Sequence, residues 1–249
     1  MDLWKYFDIT HKHHLVCNPT SVAKLDMVIG LLRLGPGARV VDIACGKAEM
    51  LTRLAERYGI TGVGVDISPY FASDARKKLQ ERAPKADIRL LQMDGAQYRP
   101  ETPGSFDLAM CVGASWVFNG HRGTLRALKE MTRPGGLVLV GEPYWIREPS
   151  DQYLAAEGAP KREEFSSHLG NVAIGGEGGL APLYTCASNQ DDWDMYVTLQ
   201  WYATDEYVRT HADDPDLPEL LAKQAQAREL YLRWERDTLG WAMYLFRRP

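Results

Sequence analysis

Three short apolar runs in the first hundred residues each lead into an aspartate: Val40-Val41-Asp42, Val63-Gly64-Val65-Asp66, and the run over residues 87–93 that precedes Asp94. They are short, rich in β-branched residues and lack the polar alternation of a sheet with one wet face, so they are expected to be strands buried on both sides. Helical spacing separates them. Met50, Leu51, Leu54 and Ala55 share one face over residues 48–58, and a second helical pattern covers 69–82. Strands alternating with helices predict a parallel sheet covered on both faces. The three carboxylates then gather along one edge, at the carboxyl ends of the strands, where open α/β sheets bind their ligands.

The rhythm begins earlier and runs further. A helix is predicted over residues 20–34, ended by Gly35-Pro36-Gly37, with fourth and fifth strands over 106–112 and 137–141, a helix at 123–131 and a turn at Arg133-Pro134-Gly135-Gly136. After Glu142 the alternation breaks, and 144–179 reads as lid or loop material. A strand at 183–187, helices over 191–209 and 217–236 and a last apolar strand at 239–246 complete the chain. With 249 residues, 45% of them hydrophobic, one domain carrying insertions is expected. Its parts are an N-terminal lid and helix (1–34), a ligand-binding core (35–143), insertions over the site (144–179 and 191–236) and the last strand (239–246). The aromatic and histidine-rich segment 4–18 is expected to fold over the ligand edge.

A formal charge of -4 from 29 basic and 33 acidic residues gives no field that would draw nucleic acid or an anionic membrane surface. No apolar run approaches the ~18 residues that cross a bilayer, and residues 1–10 lack the pattern of a signal peptide, so the cytoplasm is the expected location. Cys17, Cys45, Cys111 and Cys186 form no C-x-x-C pair, and no carboxylate or cysteine completes a ligand set around His11, His13 and His14, so no metal site is expected. Nothing in the sequence sets an oligomeric state.

The chemistry concentrates in Asp42-Ile43-Ala44-Cys45-Gly46-Lys47-Ala48-Glu49, where small residues at 44, 46 and 48 let the backbone approach a ligand. Alanine disfavours positive φ, so Ala44 and Ala48 are expected in ordinary backbone regions. Asp66 can accept both hydroxyls of a ribose, although Asp66 or Ser68 could also cap the helix that starts at Pro69. A pyrophosphate site requires G-x-G-x-x-G and a helix N-terminus without opposing charge. Here Glu49 occupies the last glycine position and Asp42 precedes the loop, a pair of carboxylates better suited to a ligand carrying cationic groups.

Taken together, the run from Gly35 to Gly46, Asp66, Asp94-Gly95-Ala96, the Phe106-Asp107-Leu108 to Val112-Gly113 strand and the Arg133-Pro134-Gly135-Gly136-Leu137 turn resemble, in order, the motifs of class I S-adenosylmethionine-dependent methyltransferases. The similarity is strongest to small bacterial enzymes of the quinone-biosynthesis and cyclopropane-synthase-like groups. It implies a doubly wound, Rossmann-like, seven-stranded sheet with an antiparallel last strand, S-adenosyl-L-methionine as cofactor, and a small-molecule methyl acceptor. It also implies a cofactor site of Asp42, Ala44, Gly46, Asp66, Ile67, Asp94, Gly95, Ala96, Val112 and Gly113. Two other readings stay open: a protein that binds the cofactor without turnover, and an NAD-dependent oxidoreductase.

Methyl transfer from a sulfonium needs alignment and exclusion of water, and a base only where the acceptor atom carries a proton. Glu142 and Tyr144 are the candidate catalytic residues. Pro143 is expected to bend the chain away from the sheet, so that Glu142, Tyr144 and Trp145 lie together beside the reacting methyl group. Trp116, Phe118, Trp193, Tyr196, Trp201 and Tyr202 offer either an apolar acceptor wall or plain core.

Overall fold

The computed structural model describes residues 1–249. Its elements are α1 (Leu3–Thr10), α2 (Val22–Leu32), β1 (Arg39–Ile43), α3 (Glu49–Tyr58), β2 (Thr61–Asp66), α4 (Pro69–Arg82), β3 (Asp87–Gln92), β4 (Phe106–Val112), α5 (His121–Met131) and β5 (Thr132–Trp145). There follow α6 (Asp151–Leu154), α7 (His168–Glu177), β6 (Ala181–Ala187), α8 (Gln190–Thr210), α9 (Leu217–Leu230), a π-helical turn at Tyr231–Glu235, α10 (Arg236–Thr238) and β7 (Leu239–Arg247). Side-chain caps start several helices where the sequence supplies them. Ser21 accepts from the Lys24 amide, and Ser68 accepts from the Phe71 amide with Pro69 at the first helical position.

The seven strands form one sheet in the order β3-β2-β1-β4-β5-β7-β6. Each neighbouring pair from β3 to β5 is parallel, and β7 runs antiparallel to both β5 and β6. The chain winds outward from β1 to β3, then returns to lay β4 on the other side of β1, which opens a crevice at their carboxyl ends. Strand alternation divides the core in two. Val40, Leu108, Met110 and Leu139 meet α2, α3 and α4 on one face, while Val41, Ile43, Ala109, Val138 and Val140 meet α5 on the other.

Three local expectations are corrected. The 144–179 segment is not all cover over the strand ends, because α7 packs against α5, β5, β6 and β7 as a sheet-covering helix; Val172 and Ile174 supply its apolar contacts. The fifth strand does not stop at Gly141, and Pro143 does not turn it away from the sheet. Pairing with β7 continues through Pro143↔Trp241, Tyr144↔Gly240 and Trp145↔Leu239. At Gly240 the absent side chain matters, since a Cβ would stand 2.3 Å from the Tyr144 ring.

The third correction concerns the β1–α3 loop, where Ala44 (φ 57) and Ala48 (φ 55) both adopt the left-handed conformation, as does Gly46 (φ 54). The closeness of the loop to the sheet edge overrides the preference of alanine, at a cost of about 1–2 kcal/mol per residue. Ala44→Gly should therefore raise the free energy of unfolding by about 0.5–1 kcal/mol, the relieved strain less the extra chain entropy of glycine. Ala48 is fully buried, and loss of its methyl costs about 0.8 kcal/mol, so Ala48→Gly should be nearly neutral. Urea titration of the two variants checks both values; destabilisation by Ala44→Gly would contradict the strain.

Candidate active site

Asp66 organises the crevice. Its Oδ2 accepts from the Gly46 amide at 2.8 Å, its Oδ1 accepts from the Ser68 amide at 2.8 Å, and its backbone carbonyl accepts from the Met93 amide. One residue thus fixes the β1–α3 loop, the start of α4 and the end of β3. Burial raises the Asp66 pKa, against the opposing pull of the Ser68 and Gly46 amides. Each carboxylate oxygen retains a lone pair. The loop is held from below as well, by Cys45 N–H to the Val65 carbonyl at 3.0 Å.

Asp42 lies beside this carboxylate and has no hydrogen-bond donor from the protein. Burial, and then the charge of Asp66, push its pKa well above the usual carboxylate range. Two close carboxylates, one without a donor, suit a cationic ligand group. Ile67 is 42% exposed next to them. Asp94 caps the short turn Gly95–Gln97 through the Ala96 amide at 2.9 Å. Gly95 is tightly enclosed, with Ile43 Cγ2 2.6 Å from where a Cβ would stand.

Val112 and Gly113 close the fourth strand. Gly113 has φ +90, and Asn18 Oδ1 occupies the place of a side chain there, while Asn18 Nδ2 donates to the Val112 carbonyl at 3.0 Å. The N-terminal segment is thereby tied to the strand ends. A second tie is Lys47, whose buried ammonium donates to the His11 carbonyl at 2.9 Å and pairs with Asp74 at 3.3 Å. His11 Nε2 meets the Tyr196 hydroxyl at 2.9 Å and His14 Nε2 meets the Tyr196 carbonyl at 2.8 Å. Burial, followed by the neighbouring His14, lowers the His11 pKa to about 3, keeping the ring neutral.

On β5, Glu142 and Tyr144 share a face by strand periodicity. The Glu142 carboxyl is only 2% exposed; Oε1 accepts from the Ser115 hydroxyl at 3.0 Å, and Oε2 stands 3.9 Å from His121 Nδ1. Burial raises its pKa to about 7, despite the Ser115 hydrogen bond. The Tyr144 ring lies against His168 at 4.8 Å, and burial raises its phenol pKa, so the group is a donor near neutral pH. Trp145 is separated from them. The same periodicity turns it to the opposite face, where it packs against Tyr153 and Phe165 and donates to the Arg162 carbonyl at 2.9 Å.

Residues 40–136 match the family described as a methyltransferase domain. An S-adenosylmethionine-dependent methyltransferase from Geobacter sulfurreducens, solved in complex with S-adenosylhomocysteine, is 30% identical with a TM-score of 0.91, covering 98% of both chains. The chain belongs to the S-adenosylmethionine-dependent methyltransferases. The uncharacterised Escherichia coli (strain K12) protein YjhP is also similar, at 30% identity over 98% of both chains. A ubiquinone biosynthesis O-methyltransferase of Xanthomonas campestris pv. campestris (strain B100) is 29% identical over 55% of this chain and 54% of its own.

Within this methyltransferase, Glu49 has a different place from the one its position suggested. Its carboxylate is taken up by Arg53, Lys78 and Arg82 at 2.7–2.8 Å. Burial pushes its pKa up, but Arg82, Lys78 and Arg53 outweigh burial and the net displacement is downward. With Glu49 taken up by its cations, Asp42 and Asp66 are the carboxyl groups without a cationic partner at the loop. Asn18, Lys47, Ser115 and His121 escaped sequence reasoning, since each acts through a partner at least 21 residues away. A groove of about 610 Å³ between α5 and α7, lined by Arg122, Arg126, Lys129 and Arg248, shares no residue with the aspartate edge.

The state of Glu142 has a thermodynamic consequence. The folded protein keeps its proton to about 7, whereas the ordinary value is 4.5. Its contribution is therefore fully present below about pH 4.5 and is lost as pH rises through 7, by up to about 3 kcal/mol. Glu142→Gln cannot titrate. Relative to the parent, it should gain about 2–3 kcal/mol of stability between pH 5 and pH 8, measured by urea titration. An unchanged difference would show that Glu142 titrates normally.

Proposed function

We propose that this methyltransferase acts on a small-molecule acceptor held above the carboxyl ends of β1, β4 and β5, with the cofactor lying along the aspartate edge. The supporting observation is the pairing of Asp42 and Asp66 beside a loop whose residues 44–46 are half-buried. Bound S-adenosylmethionine would supply an electrophilic methyl group on a sulfonium. Asp66 would receive the ribose hydroxyls on its remaining lone pairs, with Ile67 and Asp94-Gly95-Ala96 against the adenine. Asp42, Ala44 and Gly46 would face the amino-acid portion, where an ammonium would favour the ionised form of the donor-free Asp42 carboxyl and pair with it. Val112 and Gly113, covered by Asn18, would border the sulfur.

The acceptor would enter between the N-terminal segment, α8 and the residues after β4. Its alignment and the exclusion of water carry most of the rate. Glu142 would remove a proton, with a pKa near the operating pH as general-base catalysis favours, and Tyr144 would line the same face of β5. Tyr202, exposed on α8 and 5.5 Å from the His13 ring, offers an apolar surface at the outer rim.

S-adenosylhomocysteine at about 100 times its dissociation constant should stabilise the protein by about 2.7 kcal/mol. That corresponds to a rise in Tm of about 5–10 °C for a chain of this size. Asp66→Ala removes the ribose acceptor and an anchor of the loop, and should abolish most of the rise in a thermal-shift titration. A response equal to the parent's would remove Asp66 from the cofactor site.

A further inference from the structure

Glu142 sits among buried polar atoms whose hydrogen bonds do not close. Its Oε1 accepts from Ser115, but Oε2 has no partner, and neither has the buried His121 Nδ1 that faces it across 3.9 Å. His121 Nε2 lies 3.0 Å from the Asn171 carbonyl. A carbonyl only accepts, so Nε2 carries the hydrogen, and Nδ1 of the neutral ring is a bare lone pair. Burial, against the Asn171 hydrogen bond, keeps that ring neutral by lowering its pKa to about 4. A lone pair facing an ionised carboxylate gains nothing, whereas a protonated carboxyl can donate to it. His121 thus favours Glu142 with a proton and Ser115 favours Glu142 without one.

The Ser115 hydroxyl is the exit from this pocket. Ser115 is half-buried and follows β4 two residues after Gly113, whereas Glu142 itself is enclosed. We propose that Ser115, Glu142 and His121 form a proton relay for a protic acceptor, such as a phenol or an enol, in which Ser115 contacts the acceptor and Glu142 takes the proton. The inference rests on the cofactor edge proposed above. As the acceptor atom bonds to the methyl carbon, the carbon–sulfur bond breaks and its electron pair stays on sulfur, leaving a neutral thioether. The acceptor's proton passes to Ser115 Oγ while the hydroxyl proton of Ser115 passes to Glu142 Oε1. A half-turn of the carboxyl, a soft torsion, together with an approach that closes the 3.9 Å gap to hydrogen-bond distance, presents the new O–H to His121 Nδ1. His121 is a positioning residue, which stabilises the protonated base without touching the acceptor.

The other ionisable groups around Glu142 do not compete for the proton. Cys111 on β4 and Tyr244 on β7 are held protonated, each chiefly by burial, and so is Tyr144. Glu164 is the remaining charge, and its repulsion favours the protonated carboxyl. His168 on α7 is turned to the Tyr244 hydroxyl at 2.9 Å, and burial lowers its pKa.

Infrared difference spectra of the parent minus Glu142→Gln, recorded across pH, isolate the carboxyl band of Glu142. Its midpoint is expected at about 7. Ser115→Ala removes a donor to the carboxylate and should move the midpoint up by about one pH unit; His121→Phe removes the acceptor of the carboxyl proton and should move it down by about as much. Water entering a loosened pocket would lower both, so opposite signs support the relay and shifts of one sign, or none, overturn it. Ser115 is half-exposed, and an unmoved midpoint in its alanine variant overturns the relay even if His121→Phe fails to fold. Both variants should keep the rise in Tm with S-adenosylhomocysteine. Absence of that rise in the parent would instead overturn the cofactor edge, and the relay with it.

Discussion

The hydrogen bond from the Gly46 amide to the Asp66 carboxylate joins the two halves of the crevice. Without it, the β1–α3 loop would have little reason to keep three left-handed residues in five positions, two of them alanines. The strain of those alanines is about 1–2 kcal/mol each, whereas hydrogen bonds to a charged group contribute about 1.5–3 kcal/mol each. Asp66 makes one of these to the loop, from Gly46, and the backbone bond from Cys45 to Val65 adds about 0.5–1.5 kcal/mol. The terms are matched, so the loop keeps its shape while leaving Asp42 unpaired. A carboxylate in that state is well placed for a cationic ligand group.

Strand periodicity then decides which residues can act together. Glu142 and Tyr144 face α5 and α7, while Trp145 faces the opposite way into a separate aromatic cluster. Continued pairing of β5 with β7 enforces this division, because a strand that stays in register cannot turn the adjacent side chains of Tyr144 and Trp145 to one pocket. The polar partners of Glu142 come instead from the turn after β4 and the first residue of α5. The polar cluster around Glu142 is therefore assembled across two neighbouring strand ends.

Much of this was legible in the sequence because local pattern carried it. The β-branched runs ending at Asp42, Asp66 and Asp94 marked the strands of the sheet, and Leu239–Arg247 takes the antiparallel position expected of the last strand. What local pattern does not encode was missed. The conformation of Ala44 and Ala48 is imposed by tertiary bonds, and Pro143 remains in its strand because pairing with β7 continues past it. Glu49 was misread because the cations that neutralise it lie partly on α4, distant in sequence. His121 gave no signal, since its role depends on a carboxylate 21 residues away that only the β4–β5 crossover brings near.

A crystal structure of the full chain with S-adenosylhomocysteine tests the central claim most directly. The account predicts the ribose hydroxyls on Asp66, the amino group beside Asp42, the sulfur next to Gly113 and Asn18, and Ala44 and Ala48 still left-handed. The cofactor product bound elsewhere, as in the groove between α5 and α7, or seated on the edge with Asp66 out of reach of the ribose, would contradict it.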